Sequence, residues 1–371
     1  MKPRVKYIIC VIALIFYSGD VDLCGQILGD SASVSIIKTG IDCIYSLEFD
    51  QAEEICTELN RSYNEHPVVY LFHGLMVYWQ NYPLLPGTQA SSFFEEDMRK
   101  CIDLCEKRSY SKFYEAEALL ANVSARGLLL VFYADNHMSG NVIPLAAGTY
   151  KYIMRSFDFN KIYSDLYYFT GIYNYYRDAY PKFHPVYKAV AALFPPGDLE
   201  TGLKELNICA QSSILLRAEA NSILSWIYTY YENKYSSALE YTGSLIELYP
   251  YNLYFKALHI KNLLLAENYE EAEKYLELSR EESEHQYYCT QVQVFSAIVQ
   301  EKKYNNLLLA RELYEDALND LVPFGNYGNE FSAYACFGLS RICDTEGNKT
   351  GKKTYHRRAM NLSTFKKINF D

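Results

Sequence analysis

In the stretch 235–273, Tyr235-Ser236-Ser237-Ala238-Leu239 is answered by Tyr269-Glu270-Glu271-Ala272-Glu273: an aromatic residue, two polar residues and an alanine, with Ala238 and Ala272 34 residues apart. Phe49-Asp50-Gln51-Ala52-Glu53 carries the same pattern near the start of the chain, and Gly40 and Gly74 are again 34 apart. Pro250 falls twelve residues after Ala238 and closes that unit before the next apolar-periodic stretch begins. A fixed period of this length is the signature of a repeat in which each unit is one helical hairpin, unable to bury its apolar face without a neighbour.

The residue types fit that geometry. Two antiparallel helices, A and B, approach most closely where side chains are small, and the space beside such a point takes an aromatic ring. Gly74, Gly171 and Gly338 are read as close-approach positions in A helices; Ala52, Ala238, Ala272 and Ala310 are read so in B helices. A glycine inside a helix costs about 1 kcal/mol relative to alanine, so its recurrence points to packing. These are marks of a tetratricopeptide repeat (TPR). The chain is therefore expected to be all-α, a TPR-like superhelical solenoid of about eight antiparallel helix pairs over roughly 31–64, 66–107, 113–157, 164–212, 217–248, 251–284, 286–321 and 329–365.

Two units exceed the period. Insertions near 80–92 (Gln80 to Gly87 and beyond) and 177–200 (including Tyr180-Pro181 and Phe194-Pro195-Pro196-Gly197-Asp198) are expected on the rim of the scaffold, where individual function often resides. The last unit has Lys352 where a B-helix alanine is expected, and a basic capping helix is read near 349–367. A polar end unit is what a solenoid needs where its stack meets water.

Composition narrows the class further. Half of the 371 residues are hydrophobic and 22% are charged, which excludes disordered, collagen-like and polytopic membrane chains. With 37 Tyr but only 18 Gly and 11 Pro, aromatic side chains are abundant and turn residues scarce, which favours long helices. Lys2, Arg4 and Lys6 precede an apolar run from Tyr7 to Tyr17, the layout of a secretory signal peptide over residues 1–25, with cleavage near Gly25 and a single solenoid from 26 to 371. The run is too short to span a bilayer. A soluble exported product, periplasmic or envelope-associated, is expected, without stable membrane insertion.

The net charge of -10 argues against general nucleic-acid binding, and seven of the basic residues lie in 348–371. Of the eight cysteines after residue 25, Cys101 and Cys105 are spaced i, i+4 and Cys336 and Cys343 i, i+7 among apolar neighbours; helix-interface thiols are expected, and no zinc site.

Chemistry is sparse. Gly347-Asn348-Lys349-Thr350-Gly351-Lys352-Lys353-Thr354 fails as a phosphate loop, since Glu346 stands at the first glycine position and Lys353 follows Lys352 where Ser or Thr is required. No HExxH or GxSxG is present and no two histidines are spaced i, i+4. Neither a catalytic centre nor a cofactor is expected. The densest feature is the run from Tyr163 to Tyr180, whose aromatic residues point all round one helix and exceed what a buried face needs. Tyr168, Tyr173, Tyr176 and Arg177 on that helix, with Trp226 and Tyr230 from the next unit, are the candidate binding residues. Rigid rings give contact area at low entropic cost and phenols give direction, although core packing with hydroxyl tips in water accounts for the same residues.

The chain resembles exported tetratricopeptide proteins of the Bacteroidetes type through Glu48-Phe49-Asp50-Gln51-Ala52-Glu53, His66-Pro67, Glu115-Ala116-Glu117-Ala118-Leu119-Leu120-Ala121-Asn122 and Tyr168 to Arg177. More loosely, Phe194-Pro195-Pro196-Gly197-Asp198 with Gly202-Leu203-Lys204-Glu205-Leu206 is similar to a eukaryotic tetratricopeptide family linked to the mitochondrial outer membrane and lipid droplets. The first resemblance implies a non-catalytic protein or peptide binding scaffold of the cell envelope that uses its concave groove. The alternative is a glycan or small-ligand module built on helix 163–180. Neither resemblance supplies a catalytic motif.

Overall fold

The computed structural model describes residues 27–107, 112–282 and 285–371; the signal-peptide reading of residues 1–25 falls outside them. Among the described residues the chain is an all-α solenoid of eight helical hairpins with no strand. The pairs are α1 (Ser31–Tyr45) with α2 (Phe49–Ser62), α3 (Pro67–Gln80) with α4 (Gln89–Lys107), α5 (Lys112–Asp135) with α6 (Ser139–Phe159), and α7 (Leu166–Phe183) with α8 (Leu199–Ser212). They continue as α9 (Arg217–Tyr230) with α10 (Tyr235–Leu248), α11 (Leu253–Leu265) with α12 (Tyr269–Glu282), α13 (Gln286–Lys302) with α14 (Leu307–Asp320), and α15 (Asn329–Thr345) with α16 (Lys349–Leu362).

Local chemistry sets the boundaries. Asp30 caps α1 by accepting from Ser33 N at 2.9 Å, and Asp198 caps α8 by accepting from Thr201 N at 2.6 Å. His66 caps α3 through Nδ1, with Pro67 at the first helical position, where its missing N–H costs nothing. Seven of the eight A-to-B turns place a residue of left-handed φ two positions before helix B: Leu47, Gly87, His137, Asn233, Glu267, Asn305 and Gly347. This turn recurs in the backbone although only two of the seven are glycine. The one turn that lacks it is the second insertion.

Ala52, Ala238, Ala272 and Ala310 are all fully buried at the fourth position of their B helices, so the 34-residue register is a packing register. The tightest crossing is between α7 and α8. A β-carbon on Gly202 would lie 2.6 Å from Tyr175 N and 2.8 Å from the Gly171 carbonyl oxygen, so only glycine lets these backbones meet. Helix α5 contains a stretch, Tyr114–Asp135, long and apolar enough to cross a membrane, but 78% of its most apolar window is buried inside the protein, as a central helix of the stack requires.

The solenoid bends until its start meets its later units. Asn252, the cap of α11, donates from Nδ2 to the Tyr45 carbonyl at 2.9 Å, and the Tyr249 hydroxyl donates to Asp42 at 2.9 Å. His285, the cap of α13, bonds through Nε2 to the Tyr82 carbonyl at 2.9 Å. Aromatic rings pack along the same seam, with Trp79 5.6 Å from Tyr254 and Tyr45 5.3 Å from Tyr249 between centroids. At the amino-terminal end the buried Glu117 accepts from Ile27 N and Leu28 N at 3.1 and 2.9 Å and faces His66 Nε2 at 3.1 Å.

Two expectations are corrected here. The first insertion does not stay on the rim: between α3 and α4 the chain turns inward, burying Leu84 and setting Tyr82 among Tyr78, Trp79, Tyr254, Tyr287 and Tyr327. An aromatic side chain in the loop gains more from that cluster than from water. The second insertion does run outside, leaving Val186 and Leu193 exposed. The basic helix ends at Leu362 and not near 367, because Phe365, Ile368 and Phe370 find apolar partners only if the chain folds back. Phe365 then lies 4.5 Å from Tyr230 and Phe370 5.0 Å from Tyr334, and Arg341 donates to the Asn369 carbonyl at 2.5 Å. Lys352 is solvent-exposed and pairs with Asp344 at 2.7 Å.

Candidate functional site

Closure leaves a lumen along the inner faces of the A helices. Each helix carries two apolar stripes, one spent against its B partner and one turned inward. On α5 the inward stripe is Ser124, Leu128, Val131 and Asp135; on α9 it is Glu219, Ile223, Trp226 and Tyr230; on α11 it is Tyr254, Leu258 and Lys261. The larger chamber encloses about 480 Å³ and is walled mainly by aliphatic side chains of α1, α3, α5, α7, α9 and α11. Val131 keeps 46% of its surface open although it belongs to the central helix, because it faces this space.

A second chamber of about 320 Å³ adjoins it and is walled by aromatic rings, including Trp226, Tyr287, Tyr327 and Tyr334. Residues Leu362 to Phe365 form part of its wall, so the folded-back carboxy-terminal segment covers that side. Tyr82, Asp135, Trp226, Tyr230, Tyr254, Leu258 and Lys261 line both chambers and form the junction between them. Both volumes lie within the roughly 300–1,000 Å³ usual for small-molecule sites.

The charged groups differ in how well they are matched. Lys261 is buried, donates to the Tyr230 hydroxyl at 2.7 Å, pairs with Glu330 at 3.4 Å and lies 5.0 Å from the Tyr230 ring centroid. Burial alone would raise the Glu330 carboxyl, but the Lys261 ammonium and hydrogen bonds from Tyr230, Tyr334 and Lys261 outweigh it and hold Glu330 below the usual carboxylate range. That group is internally satisfied. Asp135 is solvent-exposed where it opens onto the lumen, yet the protein crowded around it partly desolvates its carboxyl and pushes it up to about 7. Glu219 is pushed up to about 8 for the same reason, and its Oε2 has no hydrogen-bond partner. The Tyr45 hydroxyl and Ser124 Oγ, on residues that also line the larger chamber, are likewise buried without partners. A buried polar atom left unmatched costs about 1–3 kcal/mol, and three of them border one cavity.

The structure divides the six candidate residues. Tyr168 lines the larger chamber, and Trp226 and Tyr230 stand at the junction, so three converge on the lumen. Tyr173, Tyr176 and Arg177 do not join them. The Tyr173 hydroxyl donates to the Pro195 carbonyl at 2.7 Å, Arg177 Nη2 donates to the Phe194 carbonyl at 3.1 Å, and Tyr176 packs against Tyr231 at 5.2 Å. Tyr173 and Arg177 thus fasten the outer insertion to α7. The surplus of aromatic residues on this helix serves two opposite faces.

Sequence reasoning passed over Asp135, Glu219, Lys261 and Tyr82. A signal for three of them existed: each is a lone charged residue in phase with the apolar stripe of an A helix, at a position where a solvated face would carry several. Tyr82 had no such signal, because its loop has no periodicity. Among the described residues no group of three or more His, Cys, Asp or Glu side chains converges as a metal site would, and Cys43, Cys56, Cys101, Cys105, Cys209, Cys336 and Cys343 are free thiols.

Fold and site together define a helical-repeat solenoid curled around an internal, largely apolar, aromatic-lined lumen. The sequence matches no protein-family model and no curated protein, so this class stands on the geometry alone.

Proposed function

We propose that the chain is a non-catalytic binding protein of the tetratricopeptide type that holds an elongated, mainly apolar ligand inside its closed solenoid. The carrying observation is the two-chamber lumen, whose larger part is walled by aliphatic side chains that gain nothing from facing water. A single apolar molecule, or one apolar segment of a peptide, suits this enclosure better than a long peptide laid along an open groove, since the Tyr82 loop and residues 362–365 occupy the groove's inner surface. The glycan reading on helix 163–180 receives less support, because Tyr173 and Arg177 are engaged with the outer insertion. The sequence pattern of residues 1–25 supports export to the periplasm or envelope as the setting for this role.

The test is uptake of an environment-sensitive apolar dye by the purified chain, compared with Val131→Trp. The larger side chain projects into open lumen, so it reduces uptake at least tenfold, about 1.4 kcal/mol of binding free energy, while the melting temperature stays level or rises. Equal uptake by both proteins, or none by the parent chain, would overturn the reading.

A further inference from the structure

We propose that the lumen takes a single-chain amphiphile with a protonated amine head, its chain in the larger chamber and its ammonium group at the junction beside Asp135. The inference rests on the lumen-binding reading and adds the chemistry of the head group.

Charge matching carries it. The one lysine of the junction is already bound to Tyr230 and Glu330, so its charge is not available to an incoming anion. Asp135 and Glu219 both line the larger chamber, and among the described residues no lysine or arginine forms an ion pair with either. With Lys261 cancelled by Glu330, Asp135 is the junction carboxyl left to answer a charged head group, and a bound ammonium draws it into its ionised form, so the junction favours a cation. Enclosure by protein weakens screening and strengthens that preference.

The walls agree with the charge. Tyr82, Trp226 and Tyr254 present rings at the junction, and an alkylammonium group is attracted by aromatic faces as well as by carboxylates. Lys261 over the Tyr230 ring is an internal instance of the same contact. A carboxylate-headed chain would bring an anion to a junction whose cation is engaged and whose free carboxyl could meet it only by staying protonated. An alcohol-headed chain would offer Asp135 no counter-charge.

The experiment is displacement of the lumen-bound apolar dye from the full chain by dodecylamine, dodecanol and dodecanoate. Dodecylamine is expected to compete about tenfold or more better than either of the others. In Asp135→Asn that advantage falls to about onefold while the variant keeps the parent helical content. In Val131→Trp the advantage disappears, which separates lumen binding from attraction to the acidic surface. Equal competition by the three chains, or an amine preference unchanged in Asp135→Asn, would overturn the head-group assignment while leaving the lumen reading intact. Failure of all three to displace a dye that does bind in the lumen overturns the amphiphile, and failure of the dye itself to bind overturns both.

Discussion

Asn252 Nδ2 donates to the carbonyl oxygen of Tyr45 at 2.9 Å across 207 residues of sequence, and the same side chain caps α11 by accepting from Phe255 N at 3.1 Å. One buried amide thus starts the first helix of the sixth hairpin and ties it to the end of α1. An open solenoid leaves its inner surface exposed as a groove; this seam converts the groove into a lumen.

Asn252→Ala removes both bonds and leaves a buried carbonyl unmet, so it is expected to cost about 2–3 kcal/mol in denaturant unfolding. Asn252→Asp keeps the cap but offers no donor to Tyr45. It should retain helical content by circular dichroism while the radius of gyration from small-angle scattering increases. An unchanged radius in the Asp variant would show that the seam holds without this bond.

The contact between Gly171 and Gly202 predicts a sign reversal between two similar substitutions. Gly202→Ala forces a β-carbon into the backbone of α7 and should destabilise by about 1–3 kcal/mol. Gly243→Ala, also within a helix but with nothing within 4 Å of the new carbon, should stabilise by about 0.5–1 kcal/mol. Chemical denaturation of the two single variants checks both directions.

Glu219 makes stability depend on pH. Its carboxyl is raised by burial from 4.5 to about 8, so between those values the unfolded chain binds fewer protons than the folded one and stability falls as pH rises. His259 acts oppositely below 6.5, because burial lowers it to about 4 and the unfolded chain there binds more protons. The decline is therefore clearest from pH 6.5 to about 8, with Asp135 adding to it. Glu219→Gln should flatten much of the decline, with a gain over the parent chain on the order of 2 kcal/mol near pH 8, read from denaturation midpoints across that range. A parent profile that rises over this interval would contradict the assignment.

The 34-residue register was legible because it is a local requirement repeated many times: the fourth position of a B helix must be small wherever two helices cross, and Ala238 and Ala272 announce it without reference to the rest of the chain. The left-handed turns were not legible. Leu47, His137 and Glu267 take a φ that their side chains disfavour, and neighbouring helices enforce it. Trp226 and Tyr230 were found as candidates because they are aromatic surplus, yet the same criterion gathered Tyr173 and Arg177, which hold an external loop. Periodicity reports that a residue lies off the A–B interface; it does not report whether the space beyond is solvent, a loop or an enclosed chamber.

By itself, then, the sequence determined the hairpin, its period and the number of units, since each follows from contacts within about one repeat length. Curvature arises from small rotations summed over all the units, and the closing contacts join residues about two hundred positions apart. Only the tertiary structure could decide that the chain meets itself, that Tyr82 turns inward, and that Asp135 and Glu219 share one cavity. A lone carboxylate on an apolar stripe reads the same on any helix; enclosure gives it an unusual protonation and makes it part of a site.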